Sequence, residues 1–407
     1  MAARGGADIG SGSDRARIIL LLALAAFGSA ASMRVSEPVL PQLAELFAVP
    51  PSRASVVFSA YALAYGLAQL LWGPIGDRLG KLATITFLTL ASAFTTALVA
   101  LTPSLGLLAL GRLVSGLTVA GIIPLAMAWI GETVPYDQRQ PVLARYLTGQ
   151  ILGVVGGQAA GGIVGGMFGW RAAFLLLALV FLLAGLALLR ELRRHATAAG
   201  RKSAGGSLAA LHLSLLGRPW VRVVLLVVAL EGAIFFGAFA YVGAQLRQVQ
   251  GLDYDLVGIL LALFGAGGLL FVALVRRLVR RLGERGLAFL GGLVAAIAFL
   301  LLSTTSGVVL PGLAMVLLGF GFYMLHNTLQ TNATQMAPEM RGVAVSAFAS
   351  AFFLSQAAGT WLGGRLVDIG GFTPLFLLAA LGMPLVGALF ALRLARRAAR
   401  TGGTETG

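Results

Sequence analysis

Cysteine is absent from this chain of 407 residues, which excludes disulfides, thiolate metal sites and cysteine nucleophiles. Histidine occurs three times. His195 and His212 stand isolated between apolar segments, so no metal site is expected, and nothing in the sequence implies a cofactor. No phosphate-binding loop occurs either, since Gly80-Lys81 is followed by leucine where a P-loop has serine or threonine. Charge is scarce as well. Asp, Glu, Lys and Arg make up 11% of the chain, against about 25% in soluble domains, too few to face water on all sides. A membrane-embedded enzyme would need a nucleophile with its base, or metal ligands, near a membrane face. A sensor would need a signalling domain larger than the polar segment 191–222.

Apolar residues are abundant, at 58%, with a mean hydropathy of +0.91. They fall into stretches at 18–38, 54–73, 82–101, 106–129, 146–166 and 170–190, then 223–245, 257–275, 287–305, 308–330, 343–364 and 373–393. Each is close to the roughly 20 residues that cross a bilayer as a helix. The expected organisation is a tail (1–17), a six-helix bundle (18–190), a linker (191–222), a second six-helix bundle (223–393) and a tail (394–407).

The net charge of +15 would point to nucleic acid in a soluble protein. Here the basic residues sit between apolar stretches, which is a mark of membrane topology, and no nucleic-acid partner is expected. With the N-terminus inside, 24 Lys and Arg residues fall on the inner side, Arg4, Arg201 and Lys202 among them. Only Arg34, Arg53, Arg171, Arg247 and Arg365 fall on the outer side. The positive-inside rule then places both termini in the cytoplasm.

The chain repeats itself. A shift of 202 residues lays Gly157, Gly161 and Gly162 onto Gly359, Gly363 and Gly364, and a shift of 203 lays Arg78-Leu79-Gly80 onto Arg281-Leu282-Gly283. Six helices per copy leave the two halves in one orientation, the parallel-repeat arrangement for which major facilitators are the standard example.

The segment Gly73-Pro74-Ile75-Gly76-Asp77-Arg78-Leu79-Gly80-Lys81 resembles the loop 2–3 signature of the major facilitator superfamily. Gly73 and Gly80 suit a tight turn, and Asp77 is placed to pair with a basic residue across the interface between halves, closing a cytoplasmic gate. In the fifth stretch, Gly149, Gly153, Gly157, Gly161 and Gly165 recur every four residues, so one helix face carries no side chains and a neighbour can approach closely. This resembles the glycine-rich helix of antiporters, although the usual Gly-Pro pair is missing and Gly157-Gln158 stands near its place. Ala351, Ser355, Gly359 and Gly363 form the equivalent stripe in the eleventh stretch.

Arg34, Glu37, Arg112 and Glu231 are formal charges within spans. Each costs about 2.5–3.5 kcal/mol at a bilayer centre on insertion scales, so each must face a cavity or a partner. Glu231 lies nearest the midplane. Burial favours a neutral carboxyl and a nearby cation a charged one, so alternating access can switch its proton, and it is the expected coupling site. Gly111-Arg112-Leu113-Val114-Ser115-Gly116 resembles the family's helix 4 signature, whose arginine is associated with proton coupling. Arg34-Val35-Ser36-Glu37-Pro38 resembles its acidic helix 1 pattern. Arg112 is expected to pair with Glu37, close to the outer surface. Tyr323, His326, Asn327 and Gln330 share one helix face by their spacing and are expected to line the substrate cavity, while Tyr61, Tyr65 and Gln69 are read as packing.

The resemblance implies an all-α, twelve-helix carrier with two parallel repeats around a central cavity. It is most similar to bacterial drug:proton antiporters, and implies a monomer in the inner membrane with a small apolar or amphipathic substrate, protons and lipid as partners. Proton-coupled uptake of a nutrient is the alternative.

Overall fold

In hydrocarbon every backbone N–H and C=O must bond within its own segment, and the apolar stretches accordingly form helices. The computed structural model describes residues 12–194, 208–304 and 307–402; Arg4, His195, Arg201 and Lys202 lie outside them. The long helices are α1 (Asp14–Leu46), α2 (Pro51–Leu79), α3 (Lys81–Ala100), α4 (Leu105–Thr133), α5 (Arg145–Phe168) and α6 (Trp170–Arg194). A short helix, Leu208–Leu216, follows, then α7 (Pro219–Gln248). Tyr254–Thr304 is one continuous helical assignment of 51 residues, but Gly283 (φ 61°, ψ −179°) breaks it into α8 (254–282) and α9 (284–304). The chain ends with α10 (Val309–Gln335), α11 (Pro338–Gly370) and α12 (Phe372–Ala399). Twelve spans therefore alternate in direction, and the first and last spans meet the same face of the bundle, here termed the terminal end.

The break at Gly283 repeats the turn at Gly80, whose φ is 90°. Both backbones occupy the region that favours glycine, as the duplicated Arg-Leu-Gly triplet suggests. The outer surface of the bundle is apolar. Leu175, Leu179, Leu182, Leu183 and Leu186 on α6, Phe87 and Phe94 on α3, and Leu381 and Leu385 on α12 are all exposed. A contiguous apolar belt on this scale is a lipid-facing surface.

Prolines set the kinks. Pro124 has no N–H to bond the Ala120 carbonyl, α4 is interrupted there, and the freed oxygen accepts from Gln69 Nε2 at 3.0 Å. Trp72 Nε1 donates to Leu117 O nearby at 2.8 Å. In α1, Pro38 likewise leaves the Arg34 carbonyl without its donor, and the helix is interrupted at Val35.

The glycine stripe of α5 packs on α1 in strict register. A Cβ at Gly149, Gly153, Gly157 or Gly161 would stand 2.6, 2.4, 2.4 or 2.5 Å from the carbonyl oxygens of Ala23, Phe27, Ala31 and Val35 respectively. The second half repeats this contact between α11 and α7, where Gly359 faces Ala233 and Gly363 faces Gly237. Between the halves, Gly162 on α5 meets Gly258 on α8, each backbone occupying the space of the other's missing side chain.

Candidate functional site

Glu231 sits where α7 changes winding, immediately before a π-helical turn over Gly232–Phe236. Such turns displace the register of side chains and often occur at functional sites. Its carboxylate is fully buried. Oε2 lies 2.8 Å from Nδ1 of His326 on α10, and Oε1 has no hydrogen-bond partner among the described residues. The imidazole stacks on Phe322 (4.8 Å between centroids) and lies 4.7 Å from Phe352 and 5.6 Å from Phe348. Phe352 touches Phe353, which meets Tyr65 of the first half at 4.4 Å. An acid–imidazole pair is thus enclosed by aromatic rings that reach the interface between halves.

Tyr323, His326 and Asn327 are half-buried and Gln330 is exposed, whereas Met324, Leu325, Thr328 and Leu329 on the opposite side of α10 are buried. The polar side of α10 is therefore its open side.

A second charged cluster joins α1, α4 and α5. Arg34 Nη1 donates to Glu37 Oε1 at 2.7 Å, and Gln158 Nε2 donates to Glu37 Oε2 at 3.0 Å. The Arg34 guanidinium also lies 4.3 Å over the Phe236 ring, a cation–π contact that ties α1 to α7. Arg112 does not pair with Glu37. Its Nη2 donates to the Ser32 carbonyl at 2.8 Å, its Nη1 to Ser32 Oγ at 3.3 Å, and it lies 3.9 Å over the Tyr61 ring. Arg34 stands three residues before Glu37 on α1, a spacing that makes helical side chains neighbours, and it takes the place expected of Arg112. Glu37 is only 2% exposed. Arg112 is left as a fully buried cation held by neutral oxygens and ring faces. Tyr61 therefore does more than pack.

At the terminal end, Asp77 bonds Lys81 one turn on (2.5 Å), and Lys81 also bonds Glu132 at the end of α4 (2.8 Å). This differs from the pairing across the interface that the motif suggests: all three residues belong to the first half. The i,i+4 spacing supplies a partner locally. Gly76 lies against Leu125, with 2.4 Å available to a Cβ, and Gly73 has open space. Arg78 is exposed.

At the opposite end, polar bonds join the two halves. Glu45 at the end of α1 accepts from Tyr254 Oη (2.5 Å) and Arg247 Nε (3.4 Å), and Tyr241 Oη donates to Ser55 Oγ (2.8 Å). Glu45→Ala removes two of these. Exposed pairs contribute about 1 kcal/mol at most, so the variant is expected to shift the balance of conformations up to about fivefold toward opening at this end. Because the natural chain has no cysteine, single introduced cysteines near Glu45 report opening by their labelling rate. An unchanged rate would show that these bonds do not hold this end closed.

Glu231, His326, Arg34, Glu37 and Arg112 stand out in the sequence, but the pairs they form, Glu231 with His326 and Glu37 with Arg34 in place of Arg112, do not. Gln158 does not stand out as a hydrogen-bonding residue, although it is a lone amide within a glycine run. Ser32, Phe236 and Phe352 carry no signal that separates them from ordinary membrane-helix residues.

Twelve alternating spans in two repeats, with ionisable groups sealed between them, define a multi-pass membrane transporter. The family profile of the Major Facilitator Superfamily matches residues 22–360, and the chain belongs to that family. It is thus a secondary transporter of small molecules and not an enzyme. The transcription regulatory protein OpdE of Pseudomonas aeruginosa is 28% identical over 398 residues, covering 94% of this chain and 95% of its own. A probable sugar efflux transporter of Pasteurella multocida is 24% identical over 377 residues, covering 92% and 89%. The crystal structure of the nucleoside transporter NupG matches with a TM-score of 0.77 at 14% identity, over 92% of this chain and 99% of that one. That likeness concerns the fold alone.

Proposed function

We propose that this protein is a proton-coupled exporter of small amphipathic compounds in the bacterial inner membrane, acting as a monomer with both termini in the cytoplasm. The observation that carries this reading is the Glu231–His326 pair: a buried carboxyl group with one titratable partner, on the open side of α10, within a shell of aromatic rings. Such a pair exchanges its proton with whichever side's water reaches it, and the rings suit an apolar or amphipathic substrate. Arg34, Glu37 and Arg112 are the supporting charges, and Tyr323, Asn327 and Gln330 line the cavity. With the closing bonds at the Glu45 end, this conformation opens toward the cytoplasm. The motif from Gly73 to Lys81 serves as the inner gate, its acid Asp77 parted from its own-half partner Lys81 when that end closes.

The export direction draws on the efflux name of the Pasteurella relative and on the α5 glycine stripe, while the missing Gly-Pro pair keeps uptake as the alternative. Everted vesicles containing the protein, with a lumenal pH dye and no imposed gradient, separate the two. Addition of a substrate is expected to make the lumen more alkaline as protons leave in exchange. Acidification on substrate entry would mean symport, and no pH response to any transported compound would overturn proton coupling.

A further inference from the structure

The two repeat-related turns at the terminal end differ in charge balance. Between α2 and α3, Lys81 is neutralised by Asp77 and Glu132. Between α8 and α9, Arg276, Arg277, Arg280, Arg281 and Arg285 fall within ten residues. All five are exposed, and none forms an ion pair among the described residues. Arg280 occupies the repeat position of Asp77, so the acid that balances the first turn is replaced by another cation. Glu284, the acid in this stretch, instead accepts a hydrogen bond from Asn332 at 3.1 Å.

These arginines border two hollows. One, of about 590 Å³, is lined by Val275, Arg276, Val279 and Arg280. The other, of about 410 Å³, includes Arg285, Arg397 and Leu394. Val272 and Val279 are 50% and 46% exposed beside them. The unpaired guanidinium groups of Arg276, Arg280 and Arg285 thus adjoin apolar side chains at the edge of the lipid-facing belt.

We propose that the α8–α9 turn binds the headgroup of an anionic phospholipid from the leaflet on the terminal side. Guanidinium groups match phosphate oxygens with paired hydrogen bonds, and the valines lie where the acyl chains leave the headgroup. The lipid supplies the counter-charge that the first half carries in its own sequence. A basic residue near such a surface contributes about fivefold in affinity, so two of them contribute about 25-fold.

The test uses the full-length protein in neutral detergent, titrated with phosphatidylglycerol or phosphatidylcholine and followed by native mass spectrometry. Phosphatidylglycerol is expected to bind at least 25-fold more tightly. The R276Q/R280Q double variant is expected to lose about 25-fold of that affinity, while Arg78→Gln in the first-half turn changes it less than twofold. Both altered side chains are exposed, and matching thermal unfolding verifies the fold. Inorganic phosphate at equal concentration is expected to leave the lipid bound. Equal binding of both lipids, unchanged affinity in the double variant, or displacement by inorganic phosphate alone would overturn the proposal.

Discussion

Glu231→Gln is expected to collapse gradient-driven accumulation of substrate while leaving its binding within a few-fold of the native protein. One pH unit across a membrane is worth about 1.4 kcal/mol for each proton exchanged, a tenfold concentration ratio. A carrier that can no longer load and unload its proton loses that factor entirely, and the ratio falls to about one. Glutamine has nearly the shape of glutamate, and its amide can still meet His326 Nδ1, now 2.8 Å from the acid. The aromatic shell of Phe322, Phe348 and Phe352 should therefore stay in place. Accumulation in energised vesicles, set beside equilibrium binding in detergent, checks both parts. If the variant still built a tenfold ratio per pH unit, the coupling proton would reside elsewhere, with Glu37 the next candidate. A large loss of binding would instead place Glu231 in direct contact with the substrate.

Gly157→Leu is expected to destabilise the first half severely. Its Cβ would stand 2.4 Å from the carbonyl oxygen and 2.6 Å from the Cα of Ala31, backbone atoms that move only if all of α1 moves. Overpacking of a close-packed contact costs about 1–3 kcal/mol and sometimes more. The displacement would also reach the charged cluster, because Ser32, which holds Arg112, follows Ala31, and Gln158, which holds Glu37, follows Gly157. Thermal unfolding in detergent should show a marked drop in midpoint together with loss of transport. Gly106→Leu provides the control, since among the described residues no atom beyond its chain neighbours and its own helix backbone lies within 4 Å of a Cβ there. Equal midpoints for the two variants would mean that α1 and α5 tolerate separation.

The spans were legible because a bilayer imposes one rule on every segment: enough consecutive apolar residues to cross, with backbone bonds satisfied internally. The turn dividing α8 from α9 was legible too, since Arg281-Leu282-Gly283 copies Arg78-Leu79-Gly80. The face of α10 followed from helical spacing. Partners were harder to read. Arg112 and Glu37 carry charge at similar depth, but Arg34, three residues from Glu37 on the same helix, takes that place. Asp77 was assigned a partner across the interface, yet Lys81 stands one turn away on its own half.

The order of amino acids by itself determined the membrane setting, the number of spans, the internal duplication and the close-packed glycine face, because each depends on local periodicity and on the transfer of side chains from water to lipid. Only the tertiary structure decided that Glu231 meets His326, 95 positions later in the chain, and that Arg112 rests on Ser32 and Tyr61. Those contacts depend on the rotation and tilt of whole helices, which arise from packing shared among many side chains, and no short stretch of sequence encodes them.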